Sequence, residues 1–401
     1  METSCRRWEH EAGGSTMRTA TIYANRHYVH ATPIDDRLYS AFVEHLGNVI
    51  YGGIYDPAHP TANEDGFRQD VIDLVRELGL TTIRYPGGNY ICTYNWEDTV
   101  GPIKERHVRA DPAWRTQEPN TVGLAEFERW VKAVDSELAM AVNLSTRGVQ
   151  DAANVVEYCN LSGDTHFARL RSDHGHAEPY GIKLWYVGNE VDGPWQIARR
   201  RADDYGWDAA EACKAMRRID PDVELVAVGS AAPSLDTFLI WDRTVLEHAY
   251  DECDYLSIHI YFGIETPEDE GNVSEYLALA KRMERQIEDT IAACDYVKGV
   301  RRSQKTMYIS FDEYNVIPAT MHEARAERVP WTTGTGGNAS LTMQNSLLFG
   351  LQLLTLMRHS DRVRIACQSI LINGAGLVLC SPDSAAWVNA NYFIMQHVSR
   401  Y

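Results

Sequence analysis

The chain has 401 residues, 44% of them hydrophobic and 23% charged, a composition typical of a globular protein with a substantial buried core. Its 56 acidic and 38 basic residues give a formal net charge of -18, which disfavours binding to nucleic acid or to an anionic membrane surface. The N-terminus lacks the apolar stretch of a secretory signal, and no segment approaches the ~20 apolar residues that cross a bilayer, so the sequence predicts a soluble, cytoplasmic protein.

Residues 1–38 are predicted to be a polar leader with one strand-like run, Thr19–Tyr23. From there on, short β-branched runs alternate with longer helical patterns, which predicts a parallel sheet with crossover helices. The predicted strands are Ser40–Glu44, Thr82–Tyr85, Met140–Leu144, Leu184–Val187, Glu224–Val228, Tyr255–Tyr261, Met307–Phe311 and Ile365–Ile372. Eight strands are the number in a (β/α)₈ (TIM) barrel, so residues 39–401 are predicted to form one α/β barrel domain.

Between the predicted strands, apolar residues recur at three- and four-residue spacing, as in amphipathic helices. The clearest helical segments are Gly66–Leu78, Leu124–Leu138, Asp203–Ile219, Ser274–Ala292 and Leu341–Arg358. The eight cysteines are scattered without a CxxC pair, which predicts free thiols rather than a metal site.

Polar residues end or directly follow most of the predicted strands, at the end of the barrel where such folds place their active sites. They include Glu44, Asn89, Asn189, Glu190, His259, Tyr261, Asp312, Glu313 and Asn315. Acids and amides can bond sugar hydroxyls while aromatic rings cover apolar C–H faces, so this set favours a carbohydrate site. Glu190 and Glu313 lie on opposed strands, where two carboxyl groups roughly 5–5.5 Å apart would serve a retaining glycosidase.

Two longer motifs make the chain recognisable. The segments KLWYVGNEVDGPWQ at 183–196 and ISFDEYNV at 309–316 resemble the acid/base and nucleophile motifs of the glycoside hydrolase family 51 α-L-arabinofuranosidases. Similar motifs occur as FVEHLG at 42–47, YGGIY at 51–55, RYPGGN at 84–89, YNWED at 94–98 and AVNL at 141–144. The resemblance extends from about Tyr39 to Tyr401.

The resemblance implies an exo-acting, retaining α-L-arabinofuranosidase that removes terminal arabinofuranosyl residues from arabinan- or arabinoxylan-derived oligosaccharides. Glu190 would be the acid/base and Glu313 the nucleophile. Asn189 would bond the sugar 2-hydroxyl, Glu44 and Asn89 would hold other hydroxyls, and Tyr261 would bond and orient the nucleophile. The family resemblance implies no metal or organic cofactor, and it suggests a homo-oligomer.

Two departures from the family pattern stand out. The family usually has a glutamine that contacts substrate three residues after the cysteine of its last barrel strand, whereas Cys367 is followed by Gln368, Ser369 and Ile370. Gln368 is a candidate replacement. The family also continues into a C-terminal β-sandwich that is expected to be missing or truncated here, and the strand-like run Thr19–Tyr23 would normally join that sandwich.

Other interpretations remain open from the residues alone. The paired glutamates also suit a β-xylosidase or an endoglucanase, and a catalytically silent carbohydrate-binding fragment is a third hypothesis. Trp96 and Trp195 fit either rim packing or sugar platforms, while Asp312, Asn315 and His259 are expected to brace the catalytic groups. A polar loop holding His166, His174 and His176 has metal-ligand spacing, although loop histidines are more often solvated.

Overall fold

Eight parallel strands close into a barrel in the computed structural model, which describes residue 21 and the ranges 32–263 and 272–401. The strands are β1 (Ser40–Phe42), β2 (Thr82–Tyr85), β3 (Glu137–Ala141), β4 (Leu184–Tyr186), β5 (Glu224–Val228), β6 (Tyr255–Phe262), β7 (Tyr308–Val316) and β8 (Val363–Ser369). Each strand pairs with the next in sequence, and β8 closes the barrel against β1. The predicted barrel is therefore confirmed, and all eight predicted strands overlap an observed one.

Residues Ile34–Tyr401 form one compact unit, which contains the barrel. The predicted strand Thr19–Tyr23 lies outside the described residues apart from Thr21, which is exposed. No helix among the described residues is both long enough and apolar enough to cross a membrane.

Helices connect the strands on the outside of the barrel. Their bounds are Gln69–Leu78, Leu124–Ala133, Val149–Asn160, His166–Asp173, Ala202–Ile219, Ile240–Ala249, Val273–Ala278, Ala280–Arg301, Met321–Ala326, Met343–Arg358 and Ala390–Arg400. In the first of them Val71, Ile72, Val75 and Leu78 are buried at helical spacing, and the helix ends at Gly79 in the left-handed conformation (φ 67°) that glycine adopts at little cost.

Two helix predictions needed correction. The predicted segment Leu124–Leu138 ends as a helix at Ala133, because Asp135 takes a positive φ of 58° and the chain then enters β3 at Glu137. The predicted segment Ser274–Ala292 is divided between two helices, Val273–Ala278 and Ala280–Arg301.

Two antiparallel hairpins decorate the barrel. One pairs Arg109–Asp111 with Thr116–Glu118 and lies between β2 and the helix that precedes β3. The other pairs Val378–Ser381 with Ser384–Val388 and follows β8. The turn of the first hairpin carries Trp114, whose side chain reaches the open carboxyl end of the barrel and lines a pocket there.

Candidate active site

Glu190 and Glu313 meet at the carboxyl end of the barrel. Glu190 follows β4, Glu313 lies within β7, and both are almost fully buried (7% and 6% exposed). One carboxylate oxygen of Glu190 lies within 4.8 Å of a carboxylate oxygen of Glu313. This separation corresponds to the ~5–5.5 Å typical of retaining glycosidases and is well short of the roughly 6.5–9.5 Å of inverting ones.

The carboxylate of Glu313 is held by two donors. The guanidinium Nη1 of Arg84 donates to Oε1 at 2.8 Å, and the hydroxyl of Tyr261 donates to Oε2 at 2.6 Å. Tyr261 also lies 2.7 Å from Oγ of Ser369 on β8. Hydrogen bonds of this kind fix the orientation of the carboxylate, as a nucleophile requires.

Glu190 has a different environment. Its Oε2 accepts a hydrogen bond from the indole N–H of Trp195 at 2.6 Å, and its Oε1 lies 2.9 Å from Nδ1 of His259. Burial raises the pKa of Glu190 and the charge of Glu313 raises it further, although the bond to His259 acts in the opposite direction. A carboxyl group with a raised pKa keeps its proton to higher pH, which suits a general acid.

A buried charge network supports both glutamates. Arg84 lies between the rings of Phe42 and Tyr186, at 4.7 and 4.8 Å, with its Nε 3.3 Å from Asp312. Asp312 in turn lies 3.4 Å from Nε2 of His259. Burial raises the pKa of Asp312, but Arg84 and His259 outweigh it and hold the pKa below its usual value.

His259 is cationic in this setting. Burial lowers its pKa, but the surrounding Glu313, Asp312 and Glu190 raise it to about 10. The strand register places His259 on β6 opposite Glu313 on β7, after an irregularity between Ser257 and His259. Such bulges re-aim side chains next to active sites. The expected bracing role of Asp312 and His259 fits these contacts, whereas Asn315 bonds the backbone oxygen of Ala375.

Three further predicted residues surround the carboxylate pair. Oε1 of Glu44 accepts from the backbone N–H of Gly88 and Tyr90, both at 2.9 Å, and from the indole of Trp114 at 3.0 Å. Burial raises the pKa of Glu44 to about 8, with a further contribution from Glu313.

The two asparagines are each held by one oxygen. Oδ1 of Asn89 accepts from Gln196 Nε2 at 2.6 Å, and Oδ1 of Asn189 accepts from Arg84 Nη2 at 2.6 Å. Nδ2 of Asn189 is buried and has no hydrogen-bond partner in the described structure. A buried donor without a partner is costly, which makes this amide a candidate to bond a ligand oxygen, although Asn189 is not among the residues that line the pocket.

Two glycines allow these groups to approach each other. A Cβ added to Gly87 would lie 2.7 Å from Cγ of Glu44, and a Cβ added to Gly88 would lie 2.8 Å from Oε1 of Glu313. Side chains at these positions would collide with the acids, which is why the turn between β2 and Asn89 contains glycine.

The acids lie in a pocket of about 160 Å³. Its lining includes the predicted residues Glu44, Asn89, Glu190, Tyr261, Glu313 and Asn315, together with Phe42, Leu46, Trp114, Ile317, Met321, Arg325, Arg328, Ser369, Ile370 and Ala375. Sequence reasoning missed Trp114, Arg325 and Arg328, since none of them directly follows a barrel strand. It included Arg84 in the RYPGGN motif but gave it no role, although this arginine contacts Glu313, Asp312 and Asn189.

The two open tryptophan assignments resolve differently. Trp96 is 2% exposed, donates a hydrogen bond to Asp151 at 3.2 Å and packs against Tyr158 and Phe167. It is therefore a buried packing residue and not a sugar platform. Trp195 is 49% exposed and bonds Glu190, so it is available beside the acid.

The candidate replacement Gln368 lies apart from the pocket. Its side chain is fully buried, and its amide lies 3.4 Å from the backbone oxygen of Ile370. Ile370, which holds the position of the family's usual glutamine, lines the pocket instead. The chain therefore presents an apolar wall at that point.

The histidine segment expected as a loop is partly helical, because His166–Asp173 forms a helix. Nδ1 of His174 lies 3.0 Å from the hydroxyl of Tyr158, and His176 packs 5.6 Å from the ring of Tyr180. Within the described ranges, the three histidines form no metal-ligand cluster; the one group with suitable spacing there is Glu190, His259 and Glu313.

Comparisons with known proteins agree with this geometry. Residues 74–266 match the model of an α-L-arabinofuranosidase 1 domain, and residues 312–401 match that of an α-L-arabinofuranosidase C-terminal domain. The chain is 44% identical over 389 residues to the intracellular exo-α-(1→5)-L-arabinofuranosidase of Acetivibrio thermocellus, covering 96% of this chain and 76% of that protein. It is also 44% identical to the intracellular exo-α-(1→5)-L-arabinofuranosidase 1 of Bacillus subtilis, with the same two coverages, 96% and 76%.

Solved structures give the same result. A family 51 α-L-arabinofuranosidase from Bifidobacterium longum superposes with a TM-score of 0.86 at 36% identity, covering 91% of this chain and 73% of that one. An α-L-arabinofuranosidase from Thermotoga maritima, solved as an arabinose complex, superposes with a TM-score of 0.81 at 31% identity, covering 92% and 71%.

Proposed function

Because this chain belongs to glycoside hydrolase family 51, the family of the α-L-arabinofuranosidases, we propose that Glu190 and Glu313 are the residues that perform its reaction. That reaction is the hydrolysis of terminal α-L-arabinofuranosyl residues. Glu313 acts as nucleophile and Glu190 as acid/base in a double displacement that retains the anomeric configuration. The observation that supports these roles best is the close approach of the two carboxylates, within 4.8 Å.

In the first step, a carboxylate oxygen of Glu313 attacks the anomeric carbon with an electron pair. The bond from that carbon to the leaving oxygen breaks, and the leaving oxygen takes the proton of Glu190. A covalent arabinosyl–enzyme and the free leaving group result. Arg84 and Tyr261 hold Glu313 in position for the attack.

In the second step, ionised Glu190 takes a proton from water, and the water oxygen attacks the anomeric carbon. The bond to Glu313 breaks, which returns its electron pair to the carboxylate and regenerates the protonated Glu190. Two inversions at one carbon give net retention. The cycle is complete with carboxylates alone.

Three other residues are proposed to bind the arabinosyl unit, and a fourth, Tyr261, to position the nucleophile. Asn189 donates to the 2-hydroxyl, which is supported by the buried, unpartnered Nδ2 of its amide. Glu44 and Asn89 hold other hydroxyls, and both line the pocket with one oxygen already bonded to the protein. Tyr261 keeps the nucleophile oriented through its hydroxyl.

The substrate is proposed to be an arabinofuranosyl oligosaccharide from arabinan or arabinoxylan, cut at an α-(1→5)-linked non-reducing end. Two relatives at 44% identity carry that linkage in their names, and both are named intracellular. A cytoplasmic location is proposed on the same grounds. A homo-oligomer is proposed from the family resemblance alone.

The proposal is tested with 4-nitrophenyl α-L-arabinofuranoside and a matched panel of aryl β-xylosides and β-glucosides. We expect turnover of the arabinofuranoside, with ¹H NMR of the first product showing the α-anomer. A first product of β configuration would reject double displacement. Faster turnover of a xyloside or glucoside would instead favour the alternative functions, a β-xylosidase or an endoglucanase.

A further inference from the structure

Two arginines line the pocket that contains Glu190 and Glu313. Arg325 lies on the helix Met321–Ala326 that follows β7, and Arg328 lies three residues further along the chain. Arg325 is exposed and Arg328 is half-buried. The guanidinium of Arg328 stacks 5.4 Å from the ring centre of Trp114, whose indole N–H bonds Glu44.

Neither arginine has an anionic partner among the described residues. Arg84, by contrast, is paired with Asp312 and Glu313. The chain has 56 acidic residues and 38 basic ones, so it has more than enough acidic side chains to pair with every basic one. Both guanidiniums line the pocket that also contains Glu190 and Glu313.

The arrangement has an electrostatic cost without a ligand. Burial lowers the pKa of Arg328 and the nearby charge of Arg325 lowers it further, while Glu44 acts in the opposite direction and only partly offsets them. Two neighbouring cations repel each other, and an anion placed between them reduces that repulsion. Guanidinium groups match carboxylates especially well, because their planar N–H donors can bond both carboxylate oxygens.

We propose that Arg325 and Arg328 form a binding site for a carboxylate on the leaving group, so that the enzyme favours arabinofuranosides attached to an acidic sugar or another carboxylate-bearing aglycone. This inference rests on the proposed function. An enzyme that acts at chain ends encloses the terminal sugar, and only the leaving group extends out through the pocket mouth. The arabinosyl unit is neutral and offers the arginines no anionic group. A carboxylate bound by them must therefore be part of the leaving group.

The test compares two leaving groups of the same shape, 3-carboxyphenyl and 3-carbamoylphenyl α-L-arabinofuranoside. The ratio of kcat/KM for the acid over the amide is measured for the wild type and for Arg325→Gln/Arg328→Gln. The differing phenol acidities cancel when the two ratios are divided. We expect the ratio to fall about 5- to 20-fold in the double variant, and to fall similarly for the wild type when 0.5 M salt is added.

Arg218→Gln is the matched control, because it removes the same charge from an exposed arginine in the last turn of the helix Ala202–Ile219. Its ratio should equal that of the wild type. Arg325→Glu should reverse the preference in favour of the amide. An unchanged ratio in the double variant, or an equal loss on both substrates, overturns the inference. Lack of turnover of every arabinofuranoside by the wild type would instead reject the proposed function.

Discussion

Nδ1 of His259 lies 2.9 Å from Oε1 of Glu190, and the opposite ring nitrogen faces Asp312 at 3.4 Å. The acid/base candidate is thus in contact with a side chain whose pKa is raised to about 10, because the carboxylates of Glu313, Asp312 and Glu190 outweigh the effect of burial. A cation beside Glu190 favours the ionised form of that glutamate and so opposes the burial that raises its pKa.

The first prediction follows from this contact. His259→Gln removes the cation while keeping a polar side chain, so the pKa of Glu190 should rise further under burial and the charge of Glu313. The alkaline limb of the kcat/KM profile, which reports loss of the acid's proton, should move to higher pH. His248→Gln, at a surface pair with Asp203, is the control and should leave the limb in place. If the alkaline limb of His259→Gln is unchanged or shifts to lower pH, the proposed coupling between His259 and Glu190 is wrong.

Stability should depend on the ionisation of Glu44 between about pH 4.5 and pH 8. Its pKa is raised from 4.5 to about 8 in the folded protein, chiefly by burial. The stability linked to its neutral form is therefore fully present below about pH 4.5 and is lost as the pH rises through about 8. Glu44→Gln keeps a carbonyl oxygen for the donors of Gly88, Tyr90 and Trp114 but cannot become charged.

We therefore expect the unfolding free energy of Glu44→Gln to fall less between pH 5 and pH 9 than that of the wild type, while its activity drops through loss of a sugar contact. Urea denaturation at the two pH values measures the difference. Glu105→Gln, at an exposed position, is the control and should follow the wild type. An equal decline in Glu44→Gln and the wild type would show that Glu44 is not the group responsible.

Tyr261 offers a test of how the nucleophile is positioned. Tyr261→Phe removes the 2.6 Å hydrogen bond to Glu313 but keeps the ring. A hydrogen bond to a charged group is worth about 1.5–3 kcal/mol, so kcat/KM should fall roughly 10- to 100-fold. Tyr255→Phe removes a hydroxyl from the other end of β6, where it bonds Glu224 at 2.6 Å, and should leave kcat/KM close to that of the wild type. Equal losses in the two variants would point to strand stability instead.

The sequence predicted the positions of the strands better than their ends. β7 was expected to stop at Phe311, but it extends through Asp312 and Glu313 to Val316. Polar residues usually mark the end of a strand, and these two remain in the sheet because Arg84 and His259 neutralise them. That compensation comes from β2 and β6, which are remote in sequence, so no local pattern could reveal it.

The sequence also predicted only part of the candidate site, namely the residues at the ends of barrel strands. Residues that directly follow strands, such as Glu44 and Glu190, could be placed because a barrel brings all strand ends to one face. Trp114 could not, because it reaches the pocket from the turn of a hairpin inserted after β2. The path of such an excursion depends on tertiary packing rather than on periodicity.

Metal removal is expected to have no effect on turnover. Glu190, His259 and Glu313 have ligand atoms within 4.8 Å of one another, but a histidine must be unprotonated to bind a metal. The pKa of His259 is raised to about 10, and the guanidinium of Arg84 adds a second positive charge next to Glu313. Dialysis against EDTA should therefore leave kcat/KM unchanged, and elemental analysis should find no stoichiometric metal. Activity lost to EDTA and restored by a divalent cation would require a different mechanism.

The last prediction separates the two glutamates by the step that each one serves. Glu313→Ala should abolish turnover of every substrate, because no covalent intermediate forms without the nucleophile. Glu190→Ala should retain the first step on a 2,4-dinitrophenyl arabinofuranoside, because this leaving group departs without a proton. The intermediate should then accumulate, since its hydrolysis lacks a general base, and stopped-flow traces should show a burst followed by a slow phase.

Azide completes the test, because it attacks without needing a general base. Added azide should accelerate the slow phase of Glu190→Ala and yield the α-arabinosyl azide, with configuration retained because Glu313 has already inverted the anomeric carbon once. Azide should not rescue Glu313→Ala in this way, because that variant forms no covalent intermediate. Any azide product of Glu313→Ala would come from direct attack on the substrate and would have the inverted, β configuration. An inverted azide from Glu190→Ala, or the absence of both burst and rescue, would mean that Glu190 and Glu313 do not hold the roles proposed for them.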